Sequence, residues 1–497
     1  MTLLSQHEWA LWESVLRILL PRCRWFGGKT RIIDRVSIMD AMPLAEAGST
    51  AKLLVCRIAF LRGPADVYFI PVSGSVPSGA VDVLPDPADD PAFARALLKM
   101  TLSGGTFWTG RGRLIARCGE GRTCLPRGRI PDPHRMKGEQ SNTSIRFGQS
   151  YMLKMMRRLE AGINPEVEVG RYLAANKGYF NSPRFVASLD YVRTGQLPVT
   201  LCSVHRYVPA RGDAWSAFLN RLSTWRDQDR ARRVPALPDG WLAMASRPLP
   251  SSVRKAMSPF LDWAGLLGRR TAELHVALAT GKRIPAFVPE PMNGSLAKLV
   301  KALLGQTTET LSAIRKARGT LPAEVRPAVD RLLAGEGSIR KRFEDFGHRP
   351  LSARMCRIHG DYHLGQVLFT GRDFLIIDFE GEPARSLEER RRKHSPLRDV
   401  AGMLRSFHYA ACVGLGPGHA ELARHWCDWM CVAFLREYRE FGGCIGLPRN
   451  DRDFRLLLDV YLMEKALYEL RYELNNRPDW VQVPLAGILN LMEEDIS

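Results

Sequence analysis

The chain has 497 residues and a mass of 55.8 kDa, room for about two to four compact units at roughly 100–200 residues each. Its 45% hydrophobic and 25% charged residues are a globular balance, which excludes disorder, collagen and a small disulfide-stapled fold. The 71 basic against 52 acidic residues leave a formal charge of +19, but they are spread along the whole chain with no clustered tract. That suits an enzyme handling phosphates and makes nucleic acid an unexpected partner.

Residues 1–22 read as an amphipathic helix, because His7, Glu8 and Glu13 interrupt the apolar pattern. No export signal is recognised, and no run approaches the roughly 18 apolar residues of a membrane span. A cytoplasmic location without membrane contact is expected. The ten cysteines, Cys23 to Cys444, include no CxxC pair, so they are expected to be structural thiols.

Three blocks follow in order. Residues 1–90 hold the helix, then Arg24-Trp25-Phe26-Gly27-Gly28-Lys29, strand-like runs at 53–61 and 66–72, and a Pro/Asp/Gly-rich boundary at 76–91. Residues 91–208 hold a short helix at 93–102 and alternating strand patterns at 112–118 and 144–156. Residues 209–497 are mostly helical by spacing, as in 261–278 and 459–474. Residues 223–258, rich in Arg and Pro, read as an irregular surface excursion, and 356–381 as loop, strand, turn, strand.

The sharpest signal lies in that last segment. His359-Gly360-Asp361-Tyr362-His363-Leu364-Gly365-Gln366 is followed by Asp378-Phe379-Glu380 at the end of an apolar strand. One carboxylate can take a hydroxyl proton, while an amide oxygen and a second carboxylate can hold a divalent metal. Phosphoryl transfer needs that division of labour, since positioning and charge neutralisation do nearly all the work.

The spacing resembles the catalytic loop and metal segment of the protein-kinase-like superfamily, in its aminoglycoside-phosphotransferase branch. Gln366 stands where that branch has Asn, and Asp378-Phe379-Glu380 where it has Asp-Phe-Gly. The resemblance implies a catalytic Asp361 and magnesium held by Gln366 and Asp378. It also implies Lys154, in the strand YMLKMM, on the ATP phosphates, paired with Glu168; Glu166 competes for that pairing. Ser141, Asn142, Thr143 and Ser144, after Glu139-Gln140 and between two strands, would cradle phosphate. His205 and Tyr207 lie where lobes hinge and adenine would sit, or in a plain linker.

A narrower resemblance is to bacterial maltokinases, including the maltokinase domains fused to trehalose synthases. It is carried by Arg24–Lys29, Gln140–Ser144, Leu267–His275, Asp378–Pro383, Ser395–Phe407 and Lys465–Glu469 through Asn476-Arg477-Pro478. It implies an α+β, bilobal protein-kinase-like fold with an N-terminal cap subdomain (1–90), a β-rich nucleotide lobe (91–208) and a helical C-lobe (209–497). It further implies conversion of maltose and ATP, with Mg2+, to maltose 1-phosphate and ADP for α-glucan synthesis, with trehalose synthase as a partner.

A disaccharide site should mix amides, charges and aromatics. Tyr461, Lys465, Tyr468, Tyr472 and Asn476 recur at three- and four-residue steps on one helix face, flanked by Glu469 and Glu473. The same stripe could be core. His363 and Arg405 are further candidate sugar contacts, whereas Asp399 is expected to brace the catalytic loop. Two alternatives stay open: a kinase for another sugar such as glucosamine, whose ammonium would want Glu469 and Glu473, and a non-catalytic pseudokinase partner of trehalose synthase.

Overall fold

The computed structural model describes residues 6–44, 51–74, 84–119, 121, 123–136, 141–281, 283–442 and 446–493. Glu139, Gln140, Cys444 and most of the boundary stretch before residue 84 lie outside the described residues. The chain clusters into two compact units, Met1–Pro209 with Ala384–Arg390, and Ala210–Pro383 with Arg391–Ser497. No described helix is long and apolar enough to cross a membrane.

In the first unit, helix Gln6–Leu19 buries Trp12, Leu16 and Leu19 against an antiparallel sheet. That sheet runs in the order Ile33–Pro43, Lys52–Phe60, Asp66–Val72 and Arg158–Leu159. Strand Lys52–Phe60 is apolar on both sides because both faces are covered. Leu54, Cys56 and Ile58 join the core under the helix, while Leu53 and Val55 join the core of the second sheet. Where the register shifts between Ile38 and Asp40, Asp40 turns inward, 2% exposed. It accepts hydrogen bonds from the Tyr191 hydroxyl (2.9 Å), the Arg111 N–H (3.1 Å) and the Thr109 hydroxyl, so the buried charge is satisfied.

The second sheet has seven antiparallel strands in the order Thr106–Trp108, Arg113–Cys118, Phe185–Val192, Val199–Arg206, Tyr151–Met156, Asn142–Phe147 and Pro133–Arg135. Helix Pro91–Leu102 covers one face, capped by the Asp90 carboxylate, which accepts from the Ala92 N–H at 2.8 Å. Arg157, fully buried, donates to Thr143 Oγ1 (2.9 Å), pairs with Asp86 and lies 4.6 Å from the Trp25 ring centroid. Residues Ala384–Arg390 rejoin this unit from far along the chain. The Leu387 N–H donates to Glu160 (3.1 Å), Arg390 pairs with the same carboxylate, and the Leu387 side chain lies over Gly162. Gly162 has φ +131° and a Cβ there would come within 2.7 Å of Leu387, so only glycine serves.

The second unit is built on helices Phe260–Leu278, Leu397–Leu415, Ala420–Phe441 and Asp451–Asn476. The last begins well before residue 459, because Asn450 caps it by accepting from the Asp453 N–H at 2.7 Å and Asp451 and Asp453 meet the positive end of its dipole. Residues 223–258 are not the surface excursion expected. Trp225 is fully buried and its indole donates to the Ala256 carbonyl at 2.9 Å, while the Trp241 indole donates to Asp428 at 2.9 Å. Prolines break this segment into the short helices Trp241–Ala245 and Ser251–Met257, which still bury Val253 and Met257. Few apolar residues suffice when each is large and aimed inward.

Candidate active site

The loop carrying Asp361 is held from three sides. Asp399, in the first turn of Leu397–Leu415, accepts from the His359 N–H at 2.7 Å and the Gly360 N–H at 2.9 Å. Its Oδ2 also meets His275 Nε2 at 3.1 Å, and His275 Nδ1 meets the Tyr438 hydroxyl at 2.9 Å. Burial by itself would raise the Asp399 carboxyl, but His275, His359 and the Gly360 N–H hold it below the ordinary carboxylate value. The His359 ring lies between Tyr362 and Phe379, and its Nε2 bonds the Ile377 carbonyl at 2.8 Å. Tyr362 in turn shares a 2.8 Å hydrogen bond with Thr271.

Close packing against the helix is part of this brace. A Cβ on Gly402 would lie 2.5 Å from the Tyr362 carbonyl oxygen. Gly402→Ala should therefore push the loop off the helix, costing about 1–3 kcal/mol. Urea denaturation should show that loss together with reduced phosphotransfer, whereas an unchanged midpoint would mean that the loop absorbs the methyl.

Past the loop, the turn Leu364–Gln366 leads into the hairpin of Val367–Phe369 and Phe374–Ile376. The Ile377 N–H donates to the Gln366 backbone carbonyl at 3.0 Å, which brings Asp378 beside Gln366. Asp378 has φ 65°, the sole positive value among described non-glycine residues. Such a conformation persists where the surroundings impose it, often at functional sites. One carboxylate and one amide oxygen fit magnesium, which takes few protein ligands and completes its shell with phosphates and water. Among the described residues, no three His, Cys, Asp or Glu converge as a metal cage.

Asp361 itself keeps a quarter-exposed carboxylate, with Lys465 Nζ 3.7 Å from its Oδ1. His363 is anchored within its own turn, where Nδ1 accepts from the Gly365 N–H at 3.1 Å, so the proton of the neutral ring resides on Nε2. Burial pushes the His363 pKa down, and Lys465 adds to that against the opposing pull of Asp361. A neutral donor therefore stands two residues from the candidate base.

Among residues expected to meet nucleotide, Lys154 lies on strand Tyr151–Met156 opposite Ser144 on one side and Ser203 on the other. Alternation puts the three on one face. Asn142, Thr143 and Ser144 belong to strand Asn142–Phe147 rather than to the connecting turn, and Ser141 precedes it. Thr143 consequently faces the other way, toward Arg157. Asn164 caps helix Pro165–Ala175, in which buried Glu166 lies 3.7 Å from His205 Nε2 and Glu168 is half-buried. The Tyr207 N–H donates to the Ser150 carbonyl at 3.1 Å, and its ring packs under the Arg146 guanidinium.

On helix Asp451–Asn476, exposure rises along the predicted face. Tyr461 is core at 1%, Lys465 and Tyr468 are half-buried, and Tyr472 is 43% exposed. Lys465 lies 5.0 Å from the Tyr468 ring, Tyr468 and Tyr472 stack at 6.3 Å, and burial, with the neighbouring Glu382 carboxylate, pushes the Tyr468 hydroxyl pKa up. Arg405 and Glu469, both expected to face sugar, instead bond each other at 2.9 Å with side chains 5% and 12% exposed. A buried guanidinium without a carboxylate would be costly, and Glu469 supplies it. Glu473 likewise serves Arg477 (2.7 Å) and the Tyr409 hydroxyl (3.2 Å). Sequence reading gave no role to Glu382, His275, Thr271 or Tyr438. The first three lie inside recognisable motifs, but their partners are distant in the chain.

Residues 19–82 match the family model of the maltokinase N-terminal cap domain. The chain is 28% identical over 375 residues to a glucosamine kinase of Streptacidiphilus jiangxiensis, covering 72% of this chain and 73% of that one. A glucosamine kinase of Mycolicibacterium smegmatis is also 28% identical, over 370 residues, with 72% and 79% covered. Among solved structures, a glucosamine kinase in complex with glucosamine, ADP and inorganic phosphate superposes with a TM-score of 0.62 at 21% identity, covering 92% of this chain and 93% of that chain. A second glucosamine kinase crystal form gives 0.65 at 22% identity, covering 97% and 100%. The chain thus has the α+β, protein-kinase-like fold, with an N-terminal cap domain and a helical C-terminal unit.

Proposed function

We propose, from a chain that carries a maltokinase N-terminal cap domain on the glucosamine-kinase fold, that the protein is an ATP-dependent sugar kinase whose acceptor is neutral, with maltose as the substrate. The observation that carries the choice is the placement of charge around Asp361. The nearest cation is the Lys465 ammonium, and the glutamates of the same helix are engaged, Glu464 with Arg398, Glu469 with Arg405 and Glu473 with Arg477. An amino sugar would bring a second cation beside Lys465 and find these carboxylates spent. A sugar hydroxyl can accept from Lys465 and rest on the Tyr468 and Tyr472 rings.

In this reading Asp361 orients the anomeric hydroxyl and takes its proton as the oxygen bonds the γ-phosphorus and the bond to the β-phosphate oxygen breaks. Lys154 holds the triphosphate, and Ser141 and Ser144 lie near it. Gln366 and Asp378 would hold magnesium, which when bound supplies charge neutralisation on the phosphates. His363 Nε2–H offers a hydrogen bond to the acceptor. The product is maltose 1-phosphate with ADP.

The specific observation favouring a second reading, glucosamine as acceptor, is that the relatives spanning 72% of the chain are glucosamine kinases. Purified protein with ATP, magnesium and maltose, glucose, glucosamine or trehalose separates the two by ADP release and product NMR. Anomeric phosphorylation of maltose supports the proposal, while turnover of glucosamine alone overturns its substrate. Lys465→Ala should then cut kcat/KM for maltose about 10–100-fold and do less harm with glucosamine. Equal losses on both sugars would remove Lys465 from acceptor choice.

A further inference from the structure

The cysteines take no part in the proposed reaction, yet two of them meet at the surface of the first unit. The described cysteines are all in the thiol form, and every one except Cys118, Cys124 and Cys412 is buried. The thiol whose charge acts on Cys412 belongs to buried Cys427, so Cys412 has no accessible partner among the described residues. Cys118 and Cys124 are both half-buried and lie together, with residues 119–123 between them, a spacing that a search for CxxC passes over.

What draws this pair together is the end of helix Pro91–Leu102. The last carbonyls of a helix have no partner inside it, and the Leu102 carbonyl takes three from the chain that follows. It accepts from the Cys118 thiol at 3.6 Å, the Cys124 N–H at 2.9 Å and the Thr123 hydroxyl at 3.2 Å. On strand Phe185–Val192 the Val186 carbonyl accepts from the Gly119 N–H at 2.7 Å and the Cys124 thiol at 3.5 Å. Two carbonyls thus close residues 118–124 into a loop with a thiol at each end.

The two thiols are not equivalent. Burial, and then the adjacent Cys124, push the Cys118 thiol up to about 12, while the Arg171 guanidinium pulls the other way. Cys118 therefore keeps its proton, and a first attack falls to Cys124. Arg171, on helix Pro165–Ala175, is anchored by donating to Ser188 Oγ at 2.9 Å. It supplies the positive neighbour that favours thiol chemistry at a partly exposed site.

We propose that Cys118 and Cys124 form a reversible dithiol–disulfide modification site whose co-substrate is a low-molecular-weight disulfide. The Cys124 sulfur bonds one sulfur of the oxidant, the oxidant's S–S bond breaks, and the leaving thiolate takes up a proton. Capping Cys124 removes the charge that opposed ionisation of Cys118. The Cys118 sulfur then gives up its proton, bonds Cys124 and expels the second small thiol. Two protein thiols lose two electrons and two protons, and one small disulfide becomes two small thiols. Excess small thiol drives the same exchange backward, so the pair follows the balance between the two forms.

The probe is oxidised glutathione added to the full chain, with peptide mapping by mass spectrometry before and after dithiothreitol. The expected product is a 118–124 disulfide, seen as the loss of two hydrogen masses from this segment and restored by dithiothreitol. Cys118→Ser should trap glutathione on Cys124, because no second thiol displaces it. Cys124→Ser should capture glutathione at Cys118 about tenfold more slowly. Serine at either position can donate to the same carbonyl, so both variants should keep the loop, and matching thermal midpoints check this. No 118–124 bond in the unmodified chain, equal capture by the two variants, or faster reaction at Cys412 than at this pair would overturn the proposal.

Discussion

Asp361→Asn is expected to lower sugar phosphorylation by about 10²–10⁴-fold, the range for removing a general base, while leaving the fold in place. The loop's shape does not depend on the Asp361 carboxylate. His359 and Gly360 are held by Asp399, Tyr362 by Thr271, and the His359 ring by the Ile377 carbonyl. The carboxylate's contact within the helical unit is with Lys465, at 3.7 Å and part-exposed, a pairing that contributes little to stability. Asparagine is isosteric, so nucleotide binding and the unfolding midpoint should match those of the unmodified chain. Initial rates with saturating ATP and maltose make the comparison. Full activity in Asp361→Asn would sink the proposed mechanism.

Asp399→Ala is expected to act in the opposite way, through stability first. Asp399 is fully buried and satisfies two backbone N–H groups and His275 at once. Truncation strands all three and opens a cavity, a loss of about 3–5 kcal/mol on the scale of broken buried ionic contacts. Asp399→Asn keeps the volume and one acceptor and should cost less, about 1–3 kcal/mol. The acid limb gives an independent reading. A folded pKa below the ordinary aspartate value of 3.8 means that the folded state prefers the ionised form. That contribution is complete above pH 3.8 and is lost as the pH falls through the lower folded value. Urea midpoints measured downward from pH 5 should therefore fall less steeply for Asp399→Asn than for the unmodified chain. Parallel slopes would show that the clamp carries no charge.

Local pattern made much of the fold legible. The spacing over 261–278 corresponds to helix Phe260–Leu278, and alternation over 112–118 to strand Arg113–Cys118. The apolar run 53–61 corresponds to strand Lys52–Phe60, because a strand covered on both faces has no polar side to show. The family fold was legible through one short signature, since Asp361, Gln366 and Asp378 sit on a loop and hairpin whose spacing is itself the geometry. What could not be read were pairings set by tertiary packing. Nothing local to Arg405 says that Glu469 will neutralise it, and nothing near Thr143 says that its hydroxyl turns to Arg157. Residues 223–258 misled for a related reason: many arginines hide how few large side chains are needed to dock a segment.

The return of Ala384–Arg390 to the first unit has a consequence for how the protein is made. The N-terminal sheets leave the ribosome long before Leu387 and Arg390, the residues that cover Gly162 and meet Glu160. At about 5–20 residues per second, the nascent first unit waits roughly 10–35 s after Pro209 before its last piece is translated. During that interval Glu160 and the backbone at Gly162 lack these partners, and the chain that will deliver them is still threading through the helical unit. A fragment ending at residue 209 is therefore an unfinished body, and its behaviour in isolation would report on that intermediate of synthesis rather than on the mature unit.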